Sequence, residues 1–146
     1  MMKVFLDTSV LVAALVEDHP HNTQATELLL AAQKKTDQAF ISAHSLAEVY
    51  AVLTRTPFSP RIYPAEAWQL LEESILAHVQ VVALNPAEYR QVVQACSING
   101  WIGGAVYDAL HIHAAQAAAC ERLYTFNLRE FRMLAPEEFR HRITAP

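Results

Sequence analysis

The chain has 146 residues, 53% of them hydrophobic and 18% charged, with a formal net charge of −4. This composition excludes a disordered chain, a wholly basic nucleic-acid binder and, with no apolar run near ~20 residues, a membrane-spanning helix. It predicts one globular domain over residues 1–146, and an N-terminal run that breaks at Asp7, too short for a signal peptide, adds a cytoplasmic location.

In chain order, Val4 to Leu6 read as a buried strand that stops at Asp7-Thr8-Ser9. Ser9 to Val16 then predict a first helix. Asp7 caps that helix, or it is a catalytic acid in the crevice beyond the strand ends, where open α/β sheets place their ligands. A polar break, Glu17-Asp18-His19-Pro20-His21, precedes a second helix capped by His21 or Asn22, with Ala25, Leu28, Leu29 and Ala32 inward. Ala39 to Ser42 form strand two. Helix three carries Leu46, Val49, Tyr50 and Leu53 together with Glu48, and ends before Thr54.

Three prolines make residues 54–64 an extended loop. Its interleaved Arg55, Phe58, Arg61 and Tyr63 suit either a groove wall or, on the reading preferred here, packing onto their own domain. Helix four runs from Pro64 to about His78, and Val79 to Ala83 form strand three. Asn85-Pro86-Ala87-Glu88 is a helix start, and Asn99-Gly100 is the matching stop. An alanine-rich helix spans about Ala105 to Ala118. Arg122 to Phe126 make strand four, a short helical turn runs from Asn127 through Phe131, and a short edge strand lies near Arg142–Thr144. Strands alternating with helices predict a mostly parallel sheet of four to five strands covered on both faces, an α/β/α sandwich. Cys96 and Cys120 lack metal or redox spacing and read as buried reduced thiols.

Three carboxylates interrupt apolar surroundings: Asp7, Glu48 and Asp108. Each has a local explanation. Asp7 is a possible cap, Ser45-Leu46-Ala47-Glu48 matches a capping box, and Asp108 sits in a helix's first turn, where the dipole favours an anion. Taken together they fall near one edge of a parallel sheet with right-handed crossovers. If they meet, the site is oxygen-only and suits Mg2+ or Mn2+ rather than zinc. Two carboxylates ~4 Å apart repel by about 4 kcal/mol at an effective dielectric near ~20, so three need a cation to stay ionised together. Phosphodiester hydrolysis with a metal-activated water is the matching chemistry. Histidine offers no rival by spacing, because His111 and His113 are two apart on a helix and cannot share a face.

These segments resemble the PIN-domain family and, within it, the VapC-type ribonuclease toxins of toxin–antitoxin pairs. The likeness rests on Phe5-Leu6-Asp7-Thr8-Ser9, Ser45-Leu46-Ala47-Glu48-Val49, Gly104-Ala105-Val106-Tyr107-Asp108-Ala109-Leu110 and Tyr124-Thr125-Phe126-Asn127-Leu128-Arg129-Glu130-Phe131. The resemblance implies a PIN-like fold and a metal-dependent endoribonuclease acting on RNA, dimeric and held inactive by a cognate antitoxin. Its acids map to Asp7, Glu48 and Asp108. Many members carry a fourth acid where this chain has Asn127; the amide is either a site ligand or an N-cap, and Glu130 is a partial substitute one turn on. Thr8, Ser9 and Thr125 are candidates for orienting metal-bound waters. Two alternatives stay open. One is an inert PIN-like scaffold that binds RNA or a protein. The other is a dehalogenase-type phosphatase, which would want an acid where Ser9 stands.

Overall fold

β1 (Met2–Leu6) is the middle strand of a five-stranded sheet in the computed structural model, which describes residues 1–146. β2 (Asp37–Ser42) and β3 (Val79–Val82) lie on one side of it, and β4 (Arg122–Tyr124) and β5 (Ile143–Thr144) on the other. All four pairings are parallel, with Phe5 opposite Phe40 and Leu6 opposite Tyr124. Parallel strands need crossovers over the sheet faces, so the central β1 and β2 are buried on both sides along their carboxyl halves, while edge strand β3 stays partly exposed.

The period-two alternation of the strands divides the core. Val4, Leu6, Ala39 and Ile41 pack against α1 (Thr8–Leu15), α2 (Asn22–Gln33), α3 (Ala43–Arg55) and α4 (Pro64–Leu70). Phe5, Phe40 and Leu123 face the opposite way, onto α6 (Ala105–Ala117), α7 (Leu128–Leu134) and α8 (Glu137–Arg140). The remaining helix, α5 (Pro86–Asn99), packs on α6 through Val92, Cys96 and Leu110. This is the expected three-layer arrangement, with all five strands present.

Several boundaries differ from the sequence reading for local reasons. α3 follows β2 with no loop between them: Ser42 ends the strand and caps the helix, its Oγ accepting the Ser45 N–H at 3.2 Å. The Ser45-to-Glu48 capping box is therefore absent. The cap lies three residues earlier, and Glu48 is released to face the sheet. α3 also continues past Thr54 to Arg55, because Pro57 forces only its predecessor, Thr56, into extended backbone. The helix that starts at Pro64 keeps α geometry only to Leu70 and finishes as π-helix over Leu71–Leu76.

β4 is shorter than expected because Thr125 and Phe126 turn their polar groups towards the end of β1. The Asn85–Glu88 capping box is present, and Gly100 closes α5 in the left-handed region at φ 70°. In the proline loop Phe58 packs on the core, whereas Tyr63 is 67% exposed. Cys96 and Cys120 are buried free thiols.

Candidate active site

In this strand order the chain leaves β1 for β2 on one side and reaches β4 on the other. The crevice between the carboxyl ends of β1 and β4 is thus the topological switch point of the sheet. Asp7 stands there, one residue beyond Leu6, and only 3% of it is exposed. It occupies the cap position of α1 but makes no side-chain cap bond. Instead its Oδ2 accepts the Ser9 hydroxyl at 2.8 Å and the Thr125 hydroxyl at 2.9 Å. Asp7 and Thr125 follow the register pair Leu6 and Tyr124, so the sheet itself brings them together. Two hydroxyls fix one carboxylate oxygen and leave Oδ1 without a hydrogen bond, 4.0 Å from His111 Nε2.

Glu48 arrives from α3, directly past the end of β2. Its Oε1 receives the Nε2–H of His111 at 2.6 Å. His111 is fully buried, and its Nδ1 lies 2.8 Å from the Ser42 hydroxyl. Ser42 Oγ already accepts the Ser45 N–H, so the Ser42 proton suits Nδ1, and this network assigns the imidazole hydrogen to Nε2. His111 Nε2 also lies 4.0 Å from Asp7 Oδ1, so the ring sits between the two carboxylates on their buried side.

Burial alone would push the Glu48 carboxyl up. The His111 bond, the charges of His111 and His44 and a Thr8 hydrogen bond outweigh burial and lower it. For His111 the balance is reversed. Burial pulls its pKa down, and the Glu48 bond with the Asp7, Glu48 and Asp108 charges raises it above the ordinary value. In either protonation state Nε2 still donates to Glu48.

Asp108 lies in the first turn of α6, one turn before His111. Burial and then the charge of Asp7 push its carboxyl up to about 6, with Glu48 and Glu130 adding to the rise and His111 opposing it. No hydrogen bond contributes. Carboxylates from β1, α3 and α6 therefore feel one another, although their sequence separations exceed any local motif. The arrangement remains open: no three His, Cys, Asp or Glu side chains form a ready-made metal cluster.

That openness fits a hard ion that keeps several waters and takes one or two carboxylates, as Mg2+ does, better than zinc, which wants a closed tetrahedron. Two further observations suit such a guest. Asp108 lacks a donor, and His44 Nε2 is buried without a hydrogen-bond partner, though it lies 3.3 Å from Glu48 Oε1. The His44 ring is held in that orientation by stacking on Tyr107, centroids 4.7 Å apart and planes within 10°.

A cavity of about 350 Å3 reaches Asp108 and Glu130 between Trp101, Ile102 and Met133. A larger cleft, about 570 Å3, lies elsewhere, between the ends of α1 and α2 and the proline loop, and touches none of the three acids. Volume alone would favour that cleft. The convergent carboxylates and buried imidazole favour the switch point.

The PIN domain profile matches residues 4–135. The chain belongs to the PIN-domain family. Among relatives of this PIN domain, Ribonuclease VapC27 of Mycobacterium tuberculosis is 34% identical over 110 residues, 75% of this chain and 74% of its own. Ribonuclease VapC40 of the same organism is 33% identical over 123 residues, covering 84% and 85%. Two solved structures share the PIN fold. One is VapBC2 from Rickettsia felis bound to a DNA fragment from their promoter (TM-score 0.64, 23% identity, 90% of this chain and 92% of that one). The other is M. tuberculosis VapC20, a Sarcin-Ricin loop cleaving toxin (TM-score 0.68, 16% identity, 87% and 92%). The dehalogenase-type alternative falls away with the family.

Within this PIN domain the remaining candidates fall into place around the acids. Thr8 is buried, its hydroxyl 3.4 Å from Ser45 Oγ. Ser9 and Thr125 hold Asp7. Asn127 occupies the cap position of α7 without a side-chain cap bond, its backbone N–H donating to Thr125 Oγ1 at 3.0 Å, so its exposed amide is free. Glu130 lines the cavity with Asp108. The residues that spacing missed are His111, His44 and Ser42. His113, two residues from His111, bonds Glu88 on another face of α6. The informative pairs are Asp108 with His111 at i, i+3 and His44 with Glu48 at i, i+4, each sharing a helix face.

Proposed function

We propose that this chain is a VapC-like toxin ribonuclease that hydrolyses RNA phosphodiester bonds with Mg2+ or Mn2+, is neutralised by a cognate antitoxin, and works as a homodimer in the cytoplasm. The observation that carries the reading is the convergence of Asp7, Glu48 and Asp108 on His111 at the switch point. The ribonuclease relatives, similar over most of their length, supply the reaction class, and the VapBC2 neighbour suggests the antitoxin.

In this reading Asp7, Glu48 and Asp108 would hold the metal, and Asn127 would assist through its free amide. When bound, a divalent ion would supply charge to offset the repulsion of the acids and Lewis acidity for the attacking water and the leaving oxygen. Ser9 and Thr125 keep Asp7 Oδ2 occupied and so leave Oδ1 as the oxygen for a metal. His111, with Ser42 behind it, keeps Glu48 from swinging into solvent. Thr8 adds a hydroxyl at the buried rim, and Glu130 adds negative charge at the outer one.

The test is cleavage of structured RNA by the purified protein in Mg2+, Mn2+ or chelator, beside an identically prepared Asp7→Asn variant. Metal-dependent cutting should vanish in the variant while the melting temperature stays level or rises, because the amide oxygen can still accept a hydroxyl and a repelling charge is gone. Equal cutting by both proteins would refute the role of Asp7. A large fall in melting temperature would return Asp7 to a structural role. Metal binding without turnover would favour the inert scaffold.

A further inference from the structure

Beside the acid pocket, the loop between α1 and α2 meets the loop after β4 through three aromatic rings. His21 stacks on Phe126 with centroids 4.5 Å apart and planes within 19°. His19 lies at the edge of the stack, 6.4 Å from Phe126 and tilted 30°. Phe126 is seated between Thr125 and Asn127, and its N–H donates to Ser9 Oγ at 3.2 Å, the same hydroxyl that donates to Asp7. Two hydrogen bonds thus join the stack to the carboxylate at the centre of the site.

The loop is built to hold this shape. The Asn22 amide donates to the carbonyls of Ala13, Ala14 and Val16 at 2.9, 3.3 and 3.1 Å, pinning the start of α2 to the end of α1. The His21 N–H donates to His19 Nδ1 at 3.1 Å, which requires that nitrogen to be unprotonated. Burial, and next the neighbouring His21, lower the His19 pKa in the same sense. Phe126 rests on the core, whereas His21 is exposed, with the His19 ring 5.8 Å from it and tilted by 46°, so the pair meets solvent on its His21 side. A rigid ring pair loses little freedom when something stacks on it.

We propose that the open face of the His21–Phe126 pair is a stacking platform for one unpaired nucleobase of the substrate RNA, next to the phosphate at the acid pocket. This rests on the ribonuclease reading above. The net charge of −4 and the acidic pocket repel a phosphate backbone, so counterion release is a poor source of affinity here. Stacking does not depend on net charge, accepts any base because each has a π-face, and contributes about 1–3 kcal/mol per base, or about five- to 150-fold in affinity. It also requires a base outside a duplex, which makes single strands and loops the substrates.

The experiment is steady-state cleavage of a single-stranded oligoribonucleotide with Mn2+ at pH 8, using the full chain and its His21→Ala and His21→Trp variants across a salt series. His21→Ala should raise KM about tenfold, with kcat and melting temperature little changed and an unaltered salt dependence. His21→Trp should bring KM back to the wild-type value or below. An unchanged KM in His21→Ala, while the wild type cuts, overturns the platform and leaves the nuclease standing. A raised KM with a shallower salt dependence also overturns it, since that marks a lost phosphate contact. A wild type that cuts no RNA overturns the ribonuclease reading and the platform with it.

Discussion

Asp108 and His111 carry the most information about the site. Burial, and next the Asp7 charge, push the Asp108 carboxyl up to about 6 because both disfavour its anion. A carboxyl raised in the folded state favours folding below its unfolded pKa, and that contribution is lost as pH rises through about 6. In chelator, Asp108→Asn should therefore stabilise the protein by about 1–2 kcal/mol at pH 8 and by almost nothing at pH 4, which thermal melts at the two pH values would check. A variant equally stable or weaker at pH 8 would mean that neither burial nor the neighbouring acids disfavour the Asp108 anion. His111→Ala strips both the Ser42 hydroxyl and Glu48 of their buried partner. It should cost about 2–4 kcal/mol in stability and lower Mn2+ affinity roughly 10- to 100-fold by titration calorimetry. His111→Gln, which keeps a donor for Glu48, should recover part of that affinity; equal losses in both variants would argue against positioning through the hydrogen bond.

Among the elements, those with strong local signals were readable in advance. The Asn85–Glu88 start, the Asn99–Gly100 stop and the apolar run Val4–Leu6 each state their structure within a few residues. Boundaries set by distant partners were not. Ser42 reads as the end of a strand, and only the abrupt β2-to-α3 junction makes it the cap as well. Thr125 reads as strand, and its bond to Asp7 lies 118 residues away in sequence. The same division runs through the site. Asp7, Glu48 and Asp108 stand out as acids in apolar surroundings, but the buried Ser42–His111–Glu48 chain depends on α3 and α6 meeting across the end of the sheet. Periodicity along one helix cannot show that.

As a whole molecule the protein puts polar chemistry at the end of a sheet whose two faces are sealed by apolar cores. A metal that binds the folded form and not the open chain should lift stability by mass action. At a hundredfold excess over its dissociation constant the gain is about 2.7 kcal/mol, roughly 6–10 °C in melting temperature for a chain of this size. Thermal shift in Mn2+ would show it, and Asp7→Asn should reduce it sharply. An equal shift in both proteins would place the metal somewhere other than the switch point.

The central position of β1 also has a consequence in time. Chains are made from the N-terminus onwards and fold as their contacts become available. Asp7, Ser9 and Glu48 emerge early, but the second hydroxyl that holds Asp7 comes from a residue made 118 positions later, and β4 pairs with β1 only then. A nascent chain can bury Val4 and Leu6 beneath α1 to α4 while the other face of its sheet is still bare. The acid pocket is therefore incomplete until Thr125 has been added, and its carboxylates are drawn together only after β4 has closed onto β1.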